Sequence, residues 1–490
     1  MAVRALPAHP SLEQYKKQAK ELLKACKSGD PEALRRMKEP HRRDKASDSV
    51  LPTAKATLAE AQFVLAREHG FESWPKFVKH IEGLRGEISP AAVWRRAESA
   101  MIAGDVTTLE SLLRDYGEVI CGHHPSRDDD YLAPDYKAGD PQKIIVGTHH
   151  FETWDQFAAL AESLKDRNSP IARFEAAVDA IVSGEVAALE KLLHRDPELI
   201  RARSTRKHHS MLLHYVGANG VEFFRQRTPK NAVQVADVLL RAGAEVDAVA
   251  DMYGGTTTLG LVATSIHPAK AGVQGALIDI LLDHGASLEG SVAPDYTDGR
   301  LVNACLANGR GEAAEFLANR GASLDLEGAA GVGRLDLVKS FFDAGGNLQS
   351  GAATAHMRRG FARACGYGRT HVVKFFLDHG MEVDSLLPLD GMFHGHTALH
   401  VAAFGGHVDT VKELLKRHAP VDVKDESFGT TPLSWALYAW GNEPGTAPPS
   451  RYYQVVALLV AAGAKVDGLV GEKVRADPKM LAALSGVKQH

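Results

Sequence analysis

Thr397-Ala398-Leu399-His400-Val401-Ala402-Ala403-Phe404-Gly405-Gly406 is a short helix written with its own start and stop signals. Thr397 can cap the helix N-terminus through its hydroxyl. Ala402 and Ala403 are small enough to let a neighbouring helix approach. The paired glycines then end the segment, and Val411, Leu414 and Leu415 place an i, i+3, i+4 apolar stripe on a second helix. One unit further on, Thr431-Pro432-Leu433 repeats the opening, with Pro432 at the first helical position, where its missing N–H costs nothing.

The close of the unit recurs more often than its opening. A leucine-rich helix end, a glycine and a short acidic turn appear as LLRAGAEVDA at Gly243, LLDHGASLEG at Gly285 and FLANRGASLDL at Gly321. They return as FFDAGGNL at Gly345, FLDHGMEVDS at Gly380, LLKRHAPVDVKD at His418 and LLVAAGAKVDG at Gly463. The mean step is about 37 residues, within the range of helical repeats. Each unit reads as a short amphipathic helix, then a second helix with a leucine pair, then a left-handed glycine. A helix pair this short cannot bury its apolar stripe alone, so the units must stack into one continuous core with low contact order.

These units resemble ankyrin repeats, whose signature is Thr-Pro-Leu-His, an Ala-Ala helix and a Leu-Leu helix. Residues 395–425 and 428–468 match best, 300–326 and 358–385 match well, and 210–248 and 256–290 match with insertions. Residues 326–346 read as a clipped unit with little room for a β-turn finger. The resemblance covers roughly residues 170–470 and implies an all-α ankyrin-repeat α-solenoid. It also implies that His214 and His400 serve to hydrogen-bond neighbouring fingers.

Upstream lies a longer duplication. Ser28-Gly29-Asp30 is echoed at Ala103-Gly104-Asp105 and again at Ser183-Gly184-Glu185. His69-Gly70-Phe71-Glu72-Ser73-Trp74 with Phe77 pairs with His149-His150-Phe151-Glu152-Thr153-Trp154 with Phe157. The aromatic residues are expected to plug joints between helices. The chain is similar in this respect to bacterial ankyrin-repeat proteins that begin with a Gly-Phe-x-Ser-Trp unit, which implies a bacterial source and no particular activity. The expected organisation is a helical unit at 1–88, a second of the same type at 89–168, the repeat array at 169–470 and a capping helix at 471–490.

Composition narrows the function. At 44% hydrophobic and 24% charged, the chain is globular rather than disordered or fibrous. A net charge of −4 gives no electrostatic footprint for nucleic acid. Four cysteines, at 26, 121, 305 and 365, make neither a disulfide framework nor a structural zinc site and suit a reducing compartment. Without an apolar signal region or an apolar run of membrane-spanning length, the chain is expected to be cytoplasmic and off the membrane.

Three insertions fall between the two helices of a unit: Glu222–Lys230, His267–Gly275 and Gly441–Arg451. The first two lie in consecutive units whose fingers are also unusual, Lys207-His208-His209-Ser210 and Asp251-Met252-Tyr253-Gly254-Gly255-Thr256-Thr257-Thr258. Free N–H groups and hydroxyls at Gly254, Gly255, Thr256 and Thr257 can hold an anion or a polar small molecule, with Arg225, Lys230 and His214 nearby. The plainer reading makes Gly254-Gly255 a tight turn and one threonine an N-cap. His208, His209 and Tyr253 are the candidates for acid–base work there, although no nucleophile–base–orienter set is evident. Cys121, His123, His124 and Asp128 put thiol, imidazole and carboxylate in one loop that can ligate a divalent metal, or else form a solvated polar loop. No nucleophile elbow, phosphate loop, dinucleotide fingerprint or His-Glu-x-x-His occurs, and Cys305 and Cys365 read as packing thiols. The expectation is a cofactor-free monomeric scaffold binding a protein on its concave face. The alternative is a small-molecule binder or enzyme with its pocket at 205–275.

Overall fold

In the computed structural model, contacts divide the chain into two units, Met1–Ile145 and Val146–His490. The described residues are 12–38, 57–71 and 73–78 with 96, 100, 108, 111 and 112 in the first. In the second they are 146–147, 149–289, 300–349, 354–388, 394–442, 447–466 and 471–486.

The first unit packs helix Leu12–Lys27 against Leu58–Glu68, with Pro31–Lys38 beside both. Ala19, Leu22, Cys26, Val64 and Leu65 fill the space between them. Thr57 and Glu60 form a reciprocal capping box that starts the third helix. Phe77 is fully buried and meets Tyr15, Phe71 and Trp74 at ring-centroid distances of 5.0, 5.2 and 5.5 Å. Arg36 and the buried Glu68 close this joint with a two-pronged ion pair at 2.8 and 2.9 Å.

The second unit begins at the second aromatic turn. From Pro170 onward the chain is a succession of helical pairs: Pro170–Ser183 with Val186–Arg195, a 3-10 turn Leu212–Gly217 with Ala232–Arg241, and Thr258–Thr264 with Gln274–Asp283. Leu301–Ala307 with Gly311–Asn319, Leu326–Val332 with Leu335–Ser340, and Thr354–Gly366 with Thr370–Asp378 follow. Ala398–Phe404 with Val408–Lys416 and Pro432–Gly441 with Pro449–Ala461 complete the series, and helix Pro478–Leu484 packs on the last of these. First helices stack on first helices along the series, and second on second from Val186–Arg195 to Gly311–Asn319 and again from Leu335–Ser340 to Pro449–Ala461.

Several first helices are not amphipathic, contrary to the sequence expectation. All of Leu212–Gly217, all of Leu326–Val332 and Ala398–Ala403 are buried, because each is enclosed by its own partner helix and by the neighbouring units. Close stacking leaves no room for a side chain at Gly331, where a Cβ would meet Leu306 Cδ1 at 2.4 Å. The core forms two adjoining clusters rather than one unbroken run. They meet at the clipped unit, where Leu324 packs against both. Asp325 caps the helix there directly, accepting from Gly328 N at 2.7 Å, so the chain enters the helix without a hairpin finger.

Two units carry strand-paired fingers among the described residues. Val249–Ala250 pairs antiparallel with Thr256–Thr257, and Leu386–Pro388 with His394–Thr397 across a register shift at Leu387/Pro388. The recurrent acidic turn ties one finger to the next. Asp247 accepts from Ser287 N, Glu289 from Ser323 N and Asp422 from Lys465 N. The second helices Val408–Lys416 and Pro449–Ala461 run into a left-handed residue, histidine at His418 (φ 63°) in one and glycine at Gly463 (φ 98°) in the other. That histidine stores about 1–2 kcal/mol of backbone strain.

Candidate functional site

Helix Pro170–Ser183 buries an apolar face through Phe174, Ala177 and Val178, yet the same face carries Glu175. A carboxylate there demands partners, since an unpaired buried charge costs several kcal/mol. The chain supplies them from two later segments. Arg206, in the stretch before Leu212, donates to Glu175 Oε1 and Oε2 at 2.5 and 3.0 Å. The insertion Glu222–Lys230 turns inward as a 3-10 turn and delivers Arg225, whose Nη1 donates to Glu175 at 2.6 Å and Glu222 at 3.0 Å. Its Nη2 reaches Asp179 at 2.8 Å. Arg206 Nε lies 2.6 Å from Glu222 Oε1, and His208 Nε2 lies 3.6 Å from Glu222 Oε2.

Burial raises the carboxyls of Glu175 and Glu222, but Arg206 and Arg225 outweigh it and hold both below the ordinary value. Burial lowers the two guanidiniums, and the carboxylates reverse that. Aromatic rings wall the cluster. Phe151 lies 5.4 Å from the Arg206 guanidinium, Phe224 lies 5.5 Å from that of Arg225, and His149 sits between Phe157 and Phe224 at 4.9 and 5.2 Å. Neither nitrogen of His149 has a hydrogen-bond partner among the described residues, and burial, aided by Arg206, pushes its pKa down to about 3. His150 follows in a left-handed conformation (φ 58°), and its carbonyl accepts Lys207 N–H at 2.9 Å. Burial and then His208 lower it to about 4.

The first inserted unit therefore brings His208 and Arg225, with Arg206 and Glu222, onto Glu175 and the half-exposed Asp179 of helix Pro170–Ser183 in one ionic cluster; Glu175, Asp179, Arg206 and Glu222 were not singled out from the sequence. The available signal was Glu175 itself, a carboxylate on an apolar helix face. The other expected site residues lie elsewhere. His209 is exposed and pairs with Asp251 at 2.8 Å. Lys230 is exposed, outside the cluster. Tyr253 adopts a left-handed conformation (φ 51°) and donates to Asn219 Oδ1 at 2.9 Å. Gly254 and Gly255 (φ 77° and 107°) make the hairpin turn, Thr256 is buried in the strand, and Thr257 caps the next helix by accepting from Gly260 N. His214 accepts from Met211 N and donates to Ala248 O of the next finger at 2.9 Å, and His400 makes the same reach to Thr430 O at 3.0 Å. Cys121, His123, His124 and Asp128 lie outside the described residues. Among the described residues no group of three or more His, Cys, Asp or Glu is placed to hold a metal ion.

Chemically, the cluster's charges are spent on one another. Asp179 borders a half-open surface depression of about 480 Å³ with Lys191 and Arg195, and another of about 380 Å³ is bordered by Arg201, Arg203 and Glu245. What stands open is the finger surface. Val249, Tyr253, Leu386 and Phe428 are exposed on fingers and Tyr438 on a first helix; Leu481, on the terminal helix, completes the exposed large apolar residues among those described.

A family model described as ankyrin repeats (3 copies) matches residues 326–425 and 361–468. Inversin from Gallus gallus is 43% identical over 65 residues, a stretch that is 13% of this chain and 6% of inversin's length. The chain thus spans a small part of that relative. The stacked pairs, the finger-to-finger histidine bonds and the family match converge: this chain carries ankyrin repeats within an all-α solenoid.

Proposed function

We propose that the chain is a scaffold whose fingers and first helices form a concave face that binds a protein partner. Ankyrin repeats generally mediate protein–protein interaction. The observation that carries the reading here is where large apolar side chains are left in water. Tyr253, Phe428 and Tyr438 are 58, 59 and 61% exposed, and all three lie on fingers or a first helix. Exposed aromatic residues grouped on one structural feature mark interaction surfaces, because leaving them in water is unfavourable. A bacterial cytoplasm and a monomeric state complete the proposal. The described cysteines Cys26, Cys305 and Cys365 are free and buried, which supports a reducing compartment, and no described helix is long and apolar enough to cross a membrane.

Affinity capture from a bacterial lysate tests this. The combined Tyr253→Ala, Leu386→Ala and Tyr438→Ala variant should lose a partner that the unsubstituted chain retains, by at least about tenfold. Lys412→Glu with Lys416→Glu, on a second helix, should retain it. Retention by the finger variant and loss by the second-helix variant would overturn the reading.

A further inference from the structure

The last two finger-bearing units hold an aromatic strip that the scaffold reading does not by itself explain. Trp435, on helix Pro432–Gly441, is held from several sides. Its Nε1–H donates to Thr430 Oγ1 at 2.9 Å and Asp425 Oδ2 at 3.2 Å. The ring meets His396 at 4.5 Å and Phe404 at 5.3 Å, from the preceding unit. Asp425 also accepts from the backbone N–H of Phe428 and Thr430, which fixes the finger turn and sets the exposed Phe428 against Trp435 at 6.1 Å. Tyr438 stands one helical turn beyond Trp435 on the same side of the helix. Phe428, the buried Trp435 and Tyr438 therefore follow one another from the finger tip to the middle of a first helix, with Trp435 and the finger turn held by hydrogen bonds.

Its surroundings are acidic. The fingers 382–388 and 421–430 carry Glu382, Asp384, Asp422, Asp425 and Glu426 against Lys424. Asp422 and Asp425 are engaged within the fold, whereas Glu382, Asp384 and Glu426 are exposed. On helix Thr354–Gly366, two units before that of Trp435, Arg359 and Arg363 are tied to the buried Glu327 at 2.9 Å each, and Arg358 is exposed. Lys473 stands 5.8 Å from the Trp440 ring, further along the helix.

Building on the scaffold reading, we propose that this strip docks an extended segment of a partner protein in which an arginine or lysine adjoins an apolar residue. The apolar side chain covers Phe428 and Tyr438. The basic stem lies along an aromatic face while its head reaches the finger carboxylates.

Selection from a random linear peptide library displayed on phage, against the full chain, tests the proposal. Enriched peptides should carry a basic residue beside an apolar one and bind more weakly as salt rises. Phe428→Ala with Tyr438→Ala should weaken the selected peptides at least about tenfold, and Glu426→Lys should weaken them further. Leu481→Ala, also exposed but on the terminal helix, should leave binding unchanged, and circular dichroism should show the variants folded. Peptides without basic residues, binding indifferent to Phe428 and Tyr438, or no enrichment would each overturn it. Peptides that instead depend on Tyr253 or Leu386 would overturn this strip and leave the scaffold reading standing.

Discussion

Arg206→Ala lowers the stability of the inserted repeats by about 3–5 kcal/mol, the cost of breaking a buried ion pair from one side. Arg206 is almost wholly buried, and its removal strands Glu175 and Glu222, leaving Arg225 as their guanidinium partner. Glu222 is fully buried, so water cannot take over. Replacing Glu175, Arg206, Glu222 and Arg225 together by apolar residues of similar volume should cost less than Arg206→Ala alone, because no charge is then left without a counterpart. Arrays of repeats unfold in parts, so the measurement is amide hydrogen exchange of 212–241 alongside denaturant titration. A loss below about 1 kcal/mol would mean that the cluster is solvated like a surface ion pair.

Acid should unfold the same region early. His149, His150 and His214 are held neutral by burial, at about 3, about 4 and about 4, against an ordinary value of 6.5. The groups facing His149 are Arg206, Glu222, Arg225 and Glu175; those facing His150 are His208, Glu222, Arg206 and Lys207. Because the folded values are depressed, the unfolded chain binds the protons first. Stability is complete above about pH 6.5 and falls as pH drops toward 4, by about 1.4 kcal/mol per pH unit for each histidine. Three such groups amount to roughly 6 kcal/mol by pH 5. Glu175 and Glu222, whose folded values are also depressed, add their loss only below the ordinary carboxyl value of 4.5. His149→Phe preserves a ring against Phe157 and Phe224 and removes one proton. Denaturant titrations at pH 7, 6 and 5 should show its slope reduced by about a third. An unchanged slope would place the titration elsewhere.

The stack was legible in the sequence because its signals are local. Thr397, Pro432 and the leucine pairs each act within one helix, and the acidic turns recur at a spacing that only stacked units explain. The buried cluster was not legible, because Glu175 meets Arg206 and Arg225 across 31 and 50 residues of chain. Insertion Glu222–Lys230 reads as a loop open to a ligand when scanned for composition. It folds inward because Glu222 and Arg225 answer charges already buried, and because Phe224 covers His149. In the first unit the corresponding His69 is covered by Tyr15, from a helix that precedes it in sequence. The aromatic turn was visible in both copies, while the ring that closes each comes from opposite directions along the chain. The exposed strip at Phe428 and Tyr438 escaped for a related reason: exposure depends on the neighbouring unit, which periodicity does not specify.

Partner binding on the fingers and first helices leaves a footprint that hydrogen exchange reads residue by residue, in the chain alone and in complex with a captured partner. Protection should rise in 249–257, 386–388, 394–397 and 421–438, with little change in the second helices Val408–Lys416 and Pro449–Ala461. Protection confined to those second helices would exclude the fingers as the docking face.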